Sequence, residues 1–215
     1  MNVQHIVLIA GWLTYCALHS ILANDRVKEK IVRFMRLSKA NYRLLYNIFA
    51  FVSLGAMLYY QFSIPSTMLF YNSFLGMWAA PIITLTGLTG MIMCIVKYFR
   101  QLSGIREIQL DKVPILETTG MHKFVRHPLY ISTFVFLIGL FFYKPLLSNL
   151  FAVVIIIVYT IIAIRFEEEK LIKEFGDQYE EYKRRVPMLI PFGKRGGDTD
   201  DSHKRGNADN ADLTD

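Results

Sequence analysis

Charged side chains leave long stretches of this chain untouched. From Leu44 to Val96 no Asp, Glu, Lys or Arg interrupts the apolar residues, and between Arg126 and Arg165 the only charge is Lys144. A helix that crosses a bilayer needs about 20 mostly apolar residues. Five segments approach or reach that length: about Val3 to Ala23, Leu44 to Gln61, Phe74 to Val96, Pro128 to Tyr143 and Leu146 to Ile164. Ser63, Pro65, Ser66 and Asn72 divide the second from the third, as turn formers do, and Lys144-Pro145 divides the fourth from the fifth. The pattern predicts an all-α fold, a polytopic membrane bundle of about five transmembrane helices with a cytoplasmic helix over about 165–185. One membrane domain then occupies residues 1–192. Residues 193–215 are Gly, Asp, Asn and Lys with almost nothing to bury, which predicts a disordered tail. No internal repeat or heptad pattern is visible.

Composition agrees with the pattern. Of 215 residues 53% are hydrophobic, yet the net charge is +6, from 24 Lys and Arg against 18 Asp and Glu. Such apolarity argues against a disordered chain, a disulfide scaffold and a soluble nucleic-acid binder. The cations are not scattered. Seven lie between Asn24 and Arg43, six between Lys97 and Arg126 and ten from Arg165 onward. Five spans place those three segments on one side, and the bias of Lys and Arg makes that side cytoplasmic, with the N-terminus outside. The first span lacks a basic segment before it, since no Lys or Arg precedes Arg26, and is expected to be retained and not removed as a signal peptide. Cys16 and Cys94 both sit in apolar runs and read as small packing residues, not as a redox or metal pair. No metal site is expected.

Two cytoplasmic stretches break the simple pattern. The first is Gly120-Met121-His122-Lys123-Phe124-Val125-Arg126-His127-Pro128-Leu129-Tyr130. Proline suits the first position of a helix, where its missing N–H has no partner to lose. A helix from Pro128 to Tyr143 rises only about 24 Å against a hydrocarbon core of about 30 Å. Its start is therefore expected to be recessed, carrying Arg126 and His127 toward the apolar boundary. A recessed helix N-terminus presents free N–H groups to an anion. Taken alone, the same residues equally describe a snorkelling arginine and an interfacial aromatic belt. The second stretch is Arg165-Phe166-Glu167-Glu168-Glu169-Lys170, following the fifth span. Acids at a helix C-terminus oppose its dipole. A helix that continues into water removes that cost, and Glu169–Lys173, Glu180–Arg184 and Glu181–Arg185 then make i,i+4 pairs. Glu167 and Glu168 stand nearest the bilayer, where acids face a polar cavity or a cation. Fixed charge of both signs with aromatic surface would suit a zwitterionic, cationic ligand with an aromatic end, a description that S-adenosylmethionine meets.

The order of these elements carries a resemblance. Arg126-His127-Pro128-Leu129-Tyr130 precedes two hydrophobic spans. Then come Glu167-Glu168, Phe175-Gly176, Tyr179, Tyr182, Val186-Pro187 and Pro191-Phe192. This resembles the C-terminal signature of isoprenylcysteine carboxyl methyltransferases and related phospholipid methyltransferases, over about the last 75 residues before the tail. His19-Ser20-Ile21-Leu22-Ala23 with the basic loop after it, Leu102-Ser103-Gly104-Ile105-Arg106-Glu107, and Val186-Pro187-Met188-Leu189-Ile190-Pro191 look like elements of the bacterial methanethiol S-methyltransferase-like subgroup. The chain departs from the wider family at Gly120-Met121-His122, where Gly-Pro-Tyr is common, and from the subgroup at Ser103, where Phe stands.

The resemblance implies an integral membrane methyltransferase of a bacterial inner membrane that uses S-adenosyl-L-methionine. Its cofactor-binding residues would be His122, Arg126, His127 and Tyr130 on one side and Glu167 and Glu168 on the other, with one of the two carboxylates taking the cofactor ammonium. Tyr179 and Tyr182 would close the cytoplasmic wall. His19 and Arg106 are the catalytic candidates on the acceptor side, where a thiol must ionise before attack. Both also fit plainer roles, an interfacial histidine and a sidedness-setting cation. The acceptor stays open among a small thiol, an isoprenylcysteine carboxylate and a phospholipid amine. Membrane lipids are the other expected partners, nucleic acid is not one, and the oligomeric state is open. A non-catalytic scaffold that keeps the fold would not need Arg126, His127, Glu167 and Glu168 together, and a transporter would need charges that the first three spans lack.

Overall fold

The computed structural model describes residues 2–102 and 115–191, with backbone alone over 98–102. The helices are α1 (Val3–Ala23), α2 (Asp25–Phe34), α3 (Lys39–Ser63), α4 (Phe74–Leu102), α5 (Pro128–Tyr143), α6 (Leu147–Phe175) and α7 (Asp177–Arg185), with a 3₁₀ turn at Gly120–Lys123. Helices α1, α3, α4 and α6 are long and apolar enough to cross a membrane, and α5 is a shorter apolar helix of 16 residues. The chain is an integral membrane helical bundle.

The first and fourth expected spans coincide with α1 and α5. Helices α3 and α4 run further than their apolar segments, into the basic end of the molecule. Helix α6 also continues past its last apolar residue, Ile164, so the charged stretch from Arg165 is helical and stands beyond the span. The expected helix over 165–185 is therefore not one element. Its first half completes α6 and its second half is α7. Between them Gly176 adopts φ 54° and ψ −131°, a conformation open to glycine at little cost and to other residues only with strain. Reading Asn24 to Arg43 only as a basic loop misses α2. Its start is capped by the Asn24 side chain, which accepts from the Arg26 N–H at 3.0 Å, and Val27, Ile31 and Phe34 share one face.

Two packing units build the bundle. In the first, α1 turns His5, Leu8, Trp12 and Cys16 inward, a stripe at the 3–4 residue spacing of one helix face. Leu8 and Trp12 pack on Ala152 of α6 with Met57 and Leu58 of α3 beside them. A chain of side chains ties the three helices: Trp12 Nε1 donates to Gln61 Oε1 at 2.9 Å, Gln61 Nε2 donates to Asn149 Oδ1 at 2.8 Å, and Asn149 Nδ2 donates to the Lys144 carbonyl at 2.8 Å. In hydrocarbon such bonds average about 0.6 kcal/mol each, and they fix register as well. In the second unit α4 lies along α5 at close backbone range. A Cβ added to Gly87 would fall 2.2 Å from the Phe136 backbone nitrogen, and one added to Gly139 would fall 2.5 Å from that of Thr84.

The contacts also sort the connections. At one end the Leu147 N–H donates to the Thr67 carbonyl, the Leu69 N–H to the Pro145 carbonyl, and Asn72 Nδ2 to the Phe142 carbonyl. At the other end Lys170 of α6 reaches Asp25 of α2 at 3.4 Å, and Arg126 meets Glu168. The described parts of the three basic segments therefore share one end. Leu44, Phe51, Val52 and Tyr59 of α3 and Leu75 and Trp78 of α4 are exposed on the outside of the bundle, as lipid-facing residues are.

Candidate functional site

The site is built where α5 begins, α6 leaves the apolar zone and α7 turns back. Its lower frame is the 3₁₀ turn, opened by Gly120 at φ 62°. The turn places the His122 ring over the next segment, with Nδ1 3.0 Å from the Arg126 carbonyl. Tyr182 of α7 donates from its hydroxyl to the His122 carbonyl at 2.7 Å. The segment after α7 then docks along the start of α5: the Arg126 N–H donates to the Pro187 carbonyl at 2.9 Å and the His127 N–H to the Met188 carbonyl at 3.2 Å. The Val186-Pro187-Met188 element of the sequence is thus a strap that holds Arg126-His127 in place.

Arg126 is buried and its charge is fully engaged. Nε donates to Glu168 Oε1 at 2.8 Å, Nη2 stands 2.7 Å from the same oxygen, and Nη1 donates to the Lys183 and Val186 carbonyls. Glu168 Oε1 also lies 3.2 Å from His127 Nε2, and its Oε2 lies 3.1 Å from Lys183 Nζ. Burial pushes the Glu168 carboxyl up, but the hydrogen bonds from Arg126 and Lys183 outweigh it and hold the group below the usual carboxylate range. Glu168 is therefore an ionised counter-charge, charge-assisted on both oxygens.

Glu167 is placed differently. Its side chain is 45% exposed, and Oε2 accepts from the Tyr130 hydroxyl at 2.9 Å. Tyr130 stacks on His127 with ring centroids 5.6 Å apart. These residues border a cavity of about 390 Å³, lined on one side by His122, Arg126, His127 and Tyr130 and on the other by Glu167 and the α6–α7 aromatics. Glu167, not Glu168, is on the cavity wall. Leu129 and Tyr130, in the first turn of α5, line this cavity as well, and a helix start attracts negative charge. Burial holds the His122 imidazole below its ordinary value, against the opposing pull of its bond to the Arg126 carbonyl. Tyr179 is buried beside Tyr182 with centroids 5.9 Å apart, and burial, then the Glu168 charge, keep it a neutral phenol.

Six of the expected site residues thus come together: His122, Arg126, His127, Tyr130, Glu167 and Glu168. His19 belongs to a separate group between α1, α3 and α6. Arg106 lies outside the described residues, as does the 193–215 tail. The cavity wall also includes Cys94, Leu116, Glu117, Leu171 and Phe175, which the sequence reading does not single out as lining. Leu171 and Phe175 repeat Glu167 at intervals of four, so their place follows from helix periodicity. Nothing in the sequence marks Glu117. Cys16 and Cys94 are both buried and free.

Comparison with known proteins places this geometry in context. The profile of the NnrU protein family matches residues 7–190. The chain is 27% identical to the methanethiol S-methyltransferase of Crocosphaera subtropica, over 90% of this chain and 78% of that protein. It is 30% identical to methanethiol S-methyltransferase 1 of Bradyrhizobium diazoefficiens, over 81% of this chain and 62% of the relative. The protein-S-isoprenylcysteine O-methyltransferase of Schizosaccharomyces pombe is 33% identical over a shorter region, 38% of this chain and 35% of that protein. No solved structure matches. The similarity to these two bacterial proteins therefore covers most of the chain, while the similarity to the isoprenylcysteine enzyme covers 38% of it.

Proposed function

We propose, from the premise that this chain belongs to the NnrU protein family, that it is a membrane methyltransferase using S-adenosyl-L-methionine, and that the cavity at the basic end receives that cofactor. Names of its relatives support methyl transfer. The observation that carries the cofactor reading is the separation of the two carboxylates. Glu168 is consumed as the counter-ion of Arg126, while Glu167 lines the cavity together with Pro128, Leu129 and Tyr130 of the first turn of α5.

The residues present fit the cofactor's chemistry. Glu167, oriented by Tyr130, suits its ammonium, and the start of α5 suits its carboxylate. The His127–Tyr130 stack and the apolar wall at Leu171 and Phe175 offer surface to an adenine. Arg126 lines the cavity but its charge is spent on Glu168, which stands behind the wall, and the bonds of Arg126 and His127 to the 186–188 strap fix their position. When bound, the cofactor supplies a methyl carbon activated by its sulfonium. The protein's part is alignment of an acceptor and exclusion of water. The acceptor is a small thiol or a membrane-borne apolar molecule. The basic end faces the cytoplasm of a bacterial inner membrane, with the N-terminus outside, by the distribution of cations.

Calorimetric binding of S-adenosylhomocysteine to the detergent-purified full chain tests the assignment. His127→Ala and Glu167→Gln are each expected to weaken binding about tenfold or more, the loss of one charge-assisted or stacking contact. Equal binding by wild type and both variants would overturn the site.

A further inference from the structure

The chain between the first two spans forms a helix that the bundle leaves uncovered. None of the described residues of α2 is buried. Phe34 at its end is 89% exposed, and Met35 after it 55%. Successive residues of a helix turn by about 100°, which sets Val27, Ile31, Phe34 and Met35 within one arc of about 100°. Lys30 borders that arc on one side and Lys28 on the other, while Asp25, Arg26, Glu29 and Arg33 share the opposite side. Val32 is the apolar residue that stands outside the arc. A polar, cationic helix with an exposed apolar stripe has the make-up of a helix that lies in a membrane interface.

Its connections hold α2 at the edge of the bilayer. Only Asn24 separates it from α1. Tyr42, in the first turn of α3, donates from its hydroxyl to the Leu22 carbonyl in the last turn of α1 at 2.8 Å, so the spans on either side of α2 are tied together where they leave the membrane. The chain turns back directly after α2. The Met35 N–H donates to the Ile31 carbonyl and the Leu37 N–H to the Val32 carbonyl, with Arg36 between them at φ 51°. Glycine is the usual residue at such a left-handed helix stop; here the position keeps a cation beside Met35. Residues 24–43 carry seven Lys and Arg against two acids, Asp25 and Glu29. Asp25 is engaged by Lys28 at 2.9 Å and by Lys170 of α6 at 3.4 Å. An acidic polypeptide and an anionic bilayer both match that excess of positive charge. The bilayer is favoured by the apolar stripe flanked by lysines and by the attachment of both ends of the segment to membrane spans.

We propose that α2 is an in-plane docking helix for a bilayer surface rich in anionic phospholipid. Its apolar stripe, ending in Phe34 and Met35, settles at the boundary between headgroups and acyl chains. Arg26, Lys30 and Arg33 on one flank and Arg36 past the end reach the headgroup phosphates, their aliphatic stems lying along the apolar boundary. Lys28 stays with Asp25, which ties the start of the helix to α6. The surface is separate from the proposed cofactor cavity and stands whether or not that cavity holds a methyl donor.

Hydrogen–deuterium exchange of the full chain in lipid nanodiscs tests this. One set of discs is phosphatidylcholine alone, and the other contains about one-third phosphatidylglycerol, an anionic lipid. Each cation near an anionic surface contributes roughly fivefold to binding, so amides of residues 26–36 are expected to exchange at least about tenfold more slowly in the anionic discs. The triple variant Arg26→Gln, Lys30→Gln, Arg33→Gln should bring the two discs to within about twofold of each other. Phe34→Ser with Met35→Ser should speed exchange of the same amides in the anionic discs. The control triple Lys123→Gln, Lys173→Gln, Arg184→Gln removes the same charge elsewhere at the basic end and should keep the lipid dependence. All these side chains are exposed, and an unchanged unfolding midpoint in detergent shows that each variant folds. Equal exchange of wild-type α2 in both discs would overturn the proposal. Loss of the lipid dependence in the control triple would assign the effect to net charge and overturn the role of α2. Slowing that requires added polyglutamate, whatever the lipid, would assign the face to an acidic polypeptide instead.

Discussion

Replacing Glu168 by Ala tests the frame of the site more sharply than any change to the cavity wall. The substitution leaves the Arg126 guanidinium, only 7% exposed, without its carboxylate. Two of its contacts remain, those to the Lys183 and Val186 carbonyls. Lys183 also loses its partner, but its side chain is 44% exposed and water replaces most of that interaction. Removing one member of a buried ion pair costs roughly 3–5 kcal/mol, and the two retained carbonyls place this case at the lower end, about 3 kcal/mol. That corresponds to an unfolding equilibrium shifted by roughly 150-fold at 1.4 kcal/mol per decade. The assay is equilibrium unfolding of the purified chain in mild detergent, with proteolytic cleavage near Val186–Met188 as a local readout. The double variant Arg126→Leu with Glu168→Leu supplies the control. Apolar replacement of both partners is expected to return stability to within about 1 kcal/mol of wild type, while S-adenosylhomocysteine binding stays impaired. Wild-type stability in Glu168→Ala, with no added cleavage of the strap, would refute the reasoning that this pair holds α5, α6 and α7 together.

Other outcomes follow from the packing and the titrating groups. Gly87→Ala and Gly139→Ala drive a methyl into facing backbone and should each lower stability in detergent by about 1–3 kcal/mol. Gly55→Ala, with nothing within 4 Å, should leave it unchanged or raise it by a few tenths of a kcal/mol. Gln61→Leu removes the middle of the Trp12–Gln61–Asn149 chain and should cost only about 0.6 kcal/mol per bond, read in the same unfolding assay. Burial lowers the His122 pKa in the fold, so the unfolded chain binds the proton first. Stability contributed by neutral His122 is complete above its ordinary 6.5 and is lost as pH falls below it. Unfolding followed from pH 8 to 5 should show that loss in wild type and not in His122→Gln.

Much of the fold was legible because hydrophobic length is a direct physical requirement of a bilayer. Val3–Ala23 and Pro128–Tyr143 are bounded in the sequence by charge, by proline and by turn residues, and the helices stop at the same residues. Helix α2 was less legible because ten residues of mixed charge say little by composition, although the spacing of Val27, Ile31 and Phe34 carried the signal. The run of α6 beyond Ile164 was foreshadowed by three glutamates that a helix end would disfavour. Which glutamate faces inward was harder to read. Adjacent residues on a helix point about 100° apart, and the deciding feature is the stripe Thr160, Ile164, Glu168, buried at intervals of four. The resemblance set Arg126 and Glu168 on opposite sides of the cofactor, and their direct pairing across 42 residues is a meeting that no local spacing reveals. His19 entered through the resemblance of its segment and the need of a thiol acceptor to ionise. Its partner Tyr46 comes from another helix and depends on how α1 and α3 pack.

The proposed cofactor site lies between the start of α5 and the α6–α7 corner. Ultraviolet crosslinking of methyl-labelled S-adenosylmethionine to the purified full chain, followed by peptide mapping, tests it most directly. Label is expected on peptides containing residues 122–130 or 167–182, and Glu167→Gln should diminish it. Label confined to other peptides, or undiminished in that variant, would contradict the account.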